Sequence, residues 1–206
     1  MGILEDKSRA RVFYRYLSKI YDYINPFIWT EEMRDQTIRE LQLSGSSVVL
    51  DVGCGTGFAT EALREKAGFV HGLDQSKHQL KRAVSKLGEK ENVQFYFGDA
   101  ERLPFADDVF DVVWSSGSIE YWPDPVKTLR ELRRVTEPGG QVVVVGPNEP
   151  RTAVMRWLAN AMMLFYDDST ADEMFREAGF SEFRHWTIGP RYNRDIAIVT
   201  LADVAN

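Results

Sequence analysis

The stretch Asp51-Val52-Gly53-Cys54-Gly55-Thr56-Gly57 constrains this chain more than any other. It closes a β-rich run, Ser47–Val52, and leads directly into a helical pattern, so it reads as the turn of a strand–loop–helix unit. Glycines at alternate positions let the backbone turn tightly and let a ligand approach it closely at the carboxyl edge of a sheet. From there on, short β-rich runs alternate with amphipathic helices. Strands are expected at 47–52, 69–73, 93–97, 110–114 and 141–145, and helices near 58–66, 77–87 and 126–135. This alternation predicts an α/β fold, a doubly wound and mostly parallel sheet with helices on both faces. Two further runs, 180–188 and 195–201, are joined by a Gly-Pro turn with no helix between them. They predict a hairpin, bringing the sheet to seven strands and an antiparallel C-terminal strand to one edge.

Ahead of this core, Phe13, Tyr16, Leu17, Ile20, Tyr21 and Ile24 follow helical spacing until Pro26. A second helix is expected from about Thr30 to Leu43, with Thr30 as N-cap and Glu31 and Glu32 in its first turn. The organisation is therefore an N-terminal helical lid at 1–44 and a core at 45–206. A length of 206 residues with 44% hydrophobic content suits one well-packed core. A net charge of −6 argues against a dedicated nucleic-acid binder. The lone cysteine, Cys54, excludes an internal disulfide, and His71, His78 and His185 lack metal-ligand spacing, so no metal is expected. No run reaches the roughly 18 apolar residues of a spanning helix. No signal segment opens the chain, which points to the cytoplasm.

Spacing narrows what the glycine loop binds. A dinucleotide fingerprint wants its third glycine at position 58, which is Phe58. The acid that opens the loop, Asp51, repels a pyrophosphate and suits a cationic group. Asp74 closes the second strand about 20 residues on, where a carboxylate accepts from ribose hydroxyls. Asp99 closes the third strand and can accept from an adenine amino group. Each of these acids alone reads equally well as a helix cap. Three at the same edge of successive strands favour a binding site.

The segments VVLDVGCGTG (48–57), HGLDQS (71–76), GDAERLPF (98–105), FDVVWSSGSIEYW (110–122) and LRRVTEPGG (132–140) together resemble the Rossmann-like, S-adenosylmethionine-dependent methyltransferases. The resemblance implies that Gly53, Gly55 and Gly57, with Asp51 and Cys54, lie under the methionine portion. It also implies that Asp74 holds the ribose, Asp99 and Ala100 the adenine, and Ser115 and Ser116 the methionine side, with Gln75 a further cofactor-binding candidate. YDYINPFIWTEEMRD (21–35), LDQSKHQLKRA (73–83), GSIEYWPDP (117–125), the Gly146-Pro147 pair with its apolar helix and FREAGF (175–180) are similar to one subfamily. Its members methylate 2-methyl-6-phytyl- and 2-methyl-6-solanesyl-benzoquinol in plastids. The plastid transit segment and the C-terminal hydrophobic anchor of the plant members have no counterpart here. A prokaryotic cytoplasmic setting, at the inner face of the membrane, is therefore expected.

Methylating an aromatic carbon requires a ring activated by ionising a neighbouring phenol, whose pKa lies near 10, so a positioned base helps. Glu120 is the candidate base, and Tyr121 the candidate proton relay or phenolate donor. The alternative is that Glu120 caps a helix or pairs with an arginine and that Tyr121 packs. His78 and His185 read as surface or packing residues, and Cys54 as packing beside the cofactor. Tyr21 and Trp29 face a cationic sulfonium favourably, or simply dock the N-terminal helices. Trp122, Asn148 and Trp157 are candidate walls of the acceptor pocket.

Twelve of the fifteen residues from Thr152 to Tyr166 are apolar, nearly all round a helix too short to span a bilayer. Such a helix is wholly buried, or it meets a prenyl tail or membrane surface, or it mediates a homodimer. Residues 1–23 carry five basic against three acidic side chains, interleaved with Phe13, Tyr14 and Tyr16. That pattern suits peripheral contact with anionic lipid as well as a plain solvated face. The leading expectation is a C-methyltransferase of a prenylated benzoquinol or naphthoquinol. The rivals are a methyltransferase of a small soluble phenol, a nicotinamide oxidoreductase and a non-catalytic cofactor-binding protein, with the chain a monomer or homodimer in each case.

Overall fold

The computed structural model describes residues 30–148, 167–191 and 193–205. The strands are β1 (Val48–Val52), β2 (Phe69–Asp74), β3 (Val93–Phe97), β4 (Phe110–Ser116), β5 (Thr136–Pro147), β6 (Glu182–Ile188) and β7 (Ala197–Asp203). Among the described residues the helices are α1 (Glu31–Ile38), α2 (Phe58–Leu63), α3 (Lys77–Leu87), α4 (Pro125–Val135) and α5 (Asp168–Glu177), with a 3-10 turn at Ile119–Tyr121. The strands form one sheet in the order β3-β2-β1-β4-β5-β7-β6. Every pair from β3 to β5 is parallel, and β7 runs antiparallel to both β5 and β6. Strand order reverses between β1 and β4, which opens a crevice at their carboxyl ends.

Alternation along β1 divides the core. Leu50 and Val52 join Leu73, Val113, Leu129, Leu132 and Phe175 on the face covered by α4 and α5. Val49 joins Val70, Trp114, Leu63, Met33 and Ile38 on the face covered by α1 and α2. The helices form where side chains can cap them. Ser76 accepts from Gln79 N at 3.4 Å to start α3, whose buried Leu80, Ala83 and Leu87 lie on one stripe. Asp124 accepts from Lys127 N at 2.9 Å to start α4, with Pro125 in the first turn and Arg133 and Arg134 in the last.

Several boundaries differ from the sequence expectation. Helix α1 stops at Ile38 rather than Leu43, because the chain leaves the helix axis to hand Gln42 N to Gln141 Oε1 at 2.8 Å. Helix α2 stops at Leu63, where Ala67 N folds back on Leu63 O at 2.9 Å and Gly68 turns into β2. Strand β4 runs two residues further and carries Ser115 and Ser116 within it. Strand β5 begins at Thr136 and absorbs Pro138-Gly139-Gly140, because Gly139 N and Gly140 O bond to Val204. The antiparallel strand lies one place in from the edge. The crossover through α5 delivers β6 parallel to β5, and β7 folds back into the gap between them. The helices expected at 13–24 and 152–166 lie outside the described residues, as do Tyr21, Trp29 and Trp157.

Candidate active site

The glycine loop is held by β2, since Gly53 N and Cys54 N both donate to Leu73 O, at 2.8 and 3.0 Å. Gly53, Gly55 and Gly57 have φ of 75°, 54° and 83°, a region that side chains resist. Their surroundings differ. A Cβ on Gly53 would stand 2.5 Å from Ser118 Cβ, and one on Gly57 2.9 Å from Leu87. A Cβ on Gly55 would meet nothing within 4 Å, so the loop presents an open cradle there.

Beneath the cradle lie two acids. Asp51, 1% exposed, accepts from Thr60 Oγ1 at 2.6 Å. Burial, reinforced by the nearby Asp74 charge and opposed by the Thr60 bond, pushes its pKa up to about 7. Asp74 Oδ2 accepts from Gly55 N at 2.8 Å and Oδ1 from Ser76 N at 2.7 Å. Burial raises the Asp74 pKa, and these two amides hold it back. One carboxylate therefore ties the cradle to the start of α3 while each oxygen keeps a lone pair for a further donor. Buried Cys54 sits beside both acids, and burial pushes its thiol pKa far up, so it packs without being a thiolate.

The remaining expected residues distribute around this centre. Gln75 is exposed next to Asp74. Asp99 is exposed past β3 and caps Glu101 N at 3.0 Å, with half-buried Ala100 following. Ser115 is fully buried with its hydroxyl on Ser118 Oγ at 2.6 Å, whereas half-buried Ser116 accepts from Trp114 Nε1 at 3.0 Å. Glu120 is buried, at 1% exposure, in the 3-10 turn just after β4, beside half-buried Tyr121. Trp122 packs into the α4 and α5 face of the core. Asn148 leaves β5 and donates from Nδ2 to Asp195 O at 3.0 Å, tying the strand end to the approach to β7. His78 is exposed, and His185 is held between Thr200 Oγ1 and Asp172 Oδ1.

Two participants carried no signal in the sequence. Thr60 holds Asp51 only because α2 packs its buried face over β1, and Ser118 backs Gly53 only because the chain curls after β4. An open glycine cradle, paired buried acids and an exposed acid past the third strand fit a nucleoside with a positively charged group. The described residues contain no group of three or more His, Cys, Asp or Glu placed to hold a metal ion.

Comparison with known proteins agrees. The methyltransferase domain family matches residues 50–144. The chain is 43% identical, over 94% of its length, to the chloroplastic 2-methyl-6-phytyl-1,4-hydroquinone methyltransferase of Arabidopsis thaliana, of which it spans 58%. It thus covers little more than half the length of that plant relative. It is 30% identical to a demethylmenaquinone methyltransferase of Staphylococcus epidermidis, over 85% of this chain and 86% of that one. The fold matches phosphoethanolamine N-methyltransferase 2 of Haemonchus contortus in complex with S-adenosyl-L-methionine, with a TM-score of 0.74 at 15% identity, covering 85% of this chain and 53% of that one. Sheet order, glycine cradle and sequence kinship converge, and the chain belongs to the class I S-adenosylmethionine-dependent methyltransferases.

Proposed function

We propose that the chain transfers a methyl group from S-adenosylmethionine to a ring carbon of a prenylated benzoquinol or naphthoquinol. One observation carries this reading. The chain is similar over most of its length to methyltransferases named for a phytyl hydroquinone and for demethylmenaquinone. Its own chemistry is consistent with such acceptors, because the turn beside the glycine cradle buries a carboxyl group, Glu120, next to apolar surroundings.

When bound, the cofactor supplies an electrophilic methyl group on a sulfonium. The protein supplies position and proton handling. Asp74, with Gly55 N and Ser76 N on its two oxygens, orients the ribose, and Asp99 with Ala100 bounds the adenine. Asp51 places negative charge beneath the cradle, and Ser115 and Ser116 line the methionine side. Glu120 takes the phenol proton and Tyr121 donates to the phenolate, which raises electron density at the ring carbon. Holding donor and acceptor in line contributes much of the remaining rate. Tyr21 and Trp29 from a lid over residues 1–44, and Trp122, Asn148 and Trp157 as acceptor walls, complete the assignment. The acceptor is a lipid, and the basic segment at 1–23 and the apolar segment at 152–166 support reversible contact with an anionic membrane surface. Among the described residues no helix is long and apolar enough to cross a membrane.

The test uses purified protein, methyl-labelled S-adenosylmethionine and a reduced long-tailed quinol, with its oxidised form and a tail-less quinol as controls. Label is expected only in the reduced, tailed lipid. Equal labelling of tail-less phenols would favour a soluble acceptor, and cofactor binding without any label would favour a non-catalytic role.

A further inference from the structure

Helix α3 carries Lys77, Lys81, Arg82 and Lys86 and no acidic residue, in a chain whose net charge is −6. Its two flanks have different surroundings. On one, Lys86 pairs with Glu61 of α2. On the other, Lys77, Lys81 and Val84 stand at i, i+4 and i+7, which places them on one ridge of the helix. That flank meets β3, the strand at one edge of the sheet, where Lys77 Nζ lies 5.0 Å from the centre of the Phe97 ring.

This surface is basic and apolar at once. Among the described residues the two most exposed large apolar side chains are Phe97, at 59%, and Val84, at 50%, and both belong to it. One exposed apolar residue is ordinary on a protein surface. Two of them interleaved with lysines match the composition that adsorbs to anionic lipid, where ammonium groups attract headgroup phosphates and apolar side chains enter the headgroup boundary. The nearby exposed acid, Asp99, is turned to the Glu101 amide, and Glu89 and Glu91 lie past the far end of α3. A soluble polyanion would also meet the lysines, but it gives Phe97 and Val84 nothing to contact. Position adds a second argument. Phe97 closes β3 and Lys77 opens α3, so both stand at the carboxyl edge, with Phe97 in register with Asp74 of the cofactor site.

We propose that the flank formed by α3 and the end of β3 is a docking surface for an anionic phospholipid bilayer. Lys77 and Lys81 are its electrostatic contacts, and Phe97 and Val84 its apolar ones. Docked this way, the carboxyl edge faces the bilayer that holds the acceptor. This rests on, and deepens, the reading of the acceptor as a membrane lipid, and adds a surface on the folded core to the segments at 1–23 and 152–166.

Sedimentation of the full chain with vesicles tests it, comparing phosphatidylcholine alone with a mixture containing phosphatidylglycerol. The wild type is expected to bind the anionic vesicles preferentially and to release them as salt rises. Lys77→Gln combined with Lys81→Gln is expected to weaken that binding roughly twentyfold, from about fivefold for each lysine. Phe97→Ser is expected to weaken it several-fold while leaving the salt dependence in place. Lys66→Gln combined with Lys90→Gln removes the same charge from exposed positions at the amino edge, and is expected to change binding by less than about twofold. No preference of the wild type for anionic vesicles, or unchanged binding in the Lys77 and Lys81 variant, overturns the proposal. Equal losses in the two lysine pairs would show attraction by overall charge alone and overturn it too. Retention on heparin that depends on Lys77 and Lys81, without vesicle binding, would assign the flank to a soluble polyanion and likewise overturn it. The labelling assay, run with the quinol in detergent micelles, separates the two readings. Quinol methylation with no docking at this flank sinks only this inference, whereas vesicle docking with no quinol methylation under any condition sinks the acceptor assignment.

Discussion

At the scale of single residues, Asp51 gives the site a pH dependence whose sign follows from burial. Its folded pKa of about 7 exceeds the unfolded value of about 3.9, so the folded state holds a proton that the unfolded state has lost. Its contribution to stability therefore falls as pH rises from about 4 to about 7 and then levels. A sulfonium nearby favours the carboxylate. Binding of S-adenosylmethionine is expected to release a proton below pH 7 and to tighten several-fold between pH 6 and pH 8. S-adenosylhomocysteine, which lacks the sulfonium charge, is expected to show a much smaller change. Calorimetry in two buffers of different ionisation enthalpy measures both, and equal pH profiles for the two ligands would mean that Asp51 does not sense the charge. The glycines separate folding from binding. Gly53→Ala places a Cβ 2.5 Å from Ser118 Cβ in a left-handed conformation, and is expected to cost roughly 2 kcal/mol or more in urea unfolding. Gly55→Ala faces open space, so it is expected to cost only about 1 kcal/mol of backbone strain while weakening cofactor binding sharply.

At the scale of elements, one device at each end of α4 holds it against the sheet. Asp124 caps α4, and Asp124→Ala is expected to lose about 1 kcal/mol in denaturant unfolding. Arg134, at the other end of α4, holds the long connection from β3 to β4. It donates to Leu103 O at 3.2 Å, Phe105 O at 2.9 Å and Asp107 Oδ1 at 2.7 Å, and pairs with Glu131. These bonds satisfy backbone carbonyls that no strand reaches. Arg134→Met is expected to speed amide hydrogen exchange across 99–109 while leaving exchange in β1 and β4 unchanged. An unaltered exchange pattern would show that the loop is held by its apolar contacts, Leu103 and Phe105, alone. The hairpin is joined to α5 by aromatic packing, with the Phe175 ring 5.2 Å from Phe180 and 5.7 Å from Phe183.

At the scale of the whole molecule, one sheet carries a buried cluster on each face, and the glycine cradle and the turn that carries Glu120 follow strands at the same carboxyl edge. A ligand that binds only this assembled edge stabilises the fold by mass action. S-adenosylmethionine at a hundredfold excess over its Kd is expected to add about 2.7 kcal/mol to unfolding, readable as a shift in the urea midpoint with an unchanged slope. Much of this architecture is legible in the chain itself. Strand β3 and helix α3 occupy the expected residues because period-two and period-3.6 apolar patterns are local signals. The glycine loop and the acids at the ends of β1 and β2 are legible because positive φ and charge at a strand end belong to individual residue types. What the sequence could not show depends on partners far away along the chain. Strand β5 gains its first residues from Val204, α1 ends where Gln141 draws the backbone away, and β7 rather than β6 fills the place beside β5. The Asp51 pKa arises from the exclusion of water, adjusted by Thr60 and Asp74, and His185 is held between a threonine on the next strand and an aspartate on a helix. Local pattern determined which elements form and which residue types stand at the carboxyl edge. Only tertiary packing decided which of those side chains lost their water and which neighbour replaced it, because desolvation and hydrogen-bond pairing are properties of assembled surfaces.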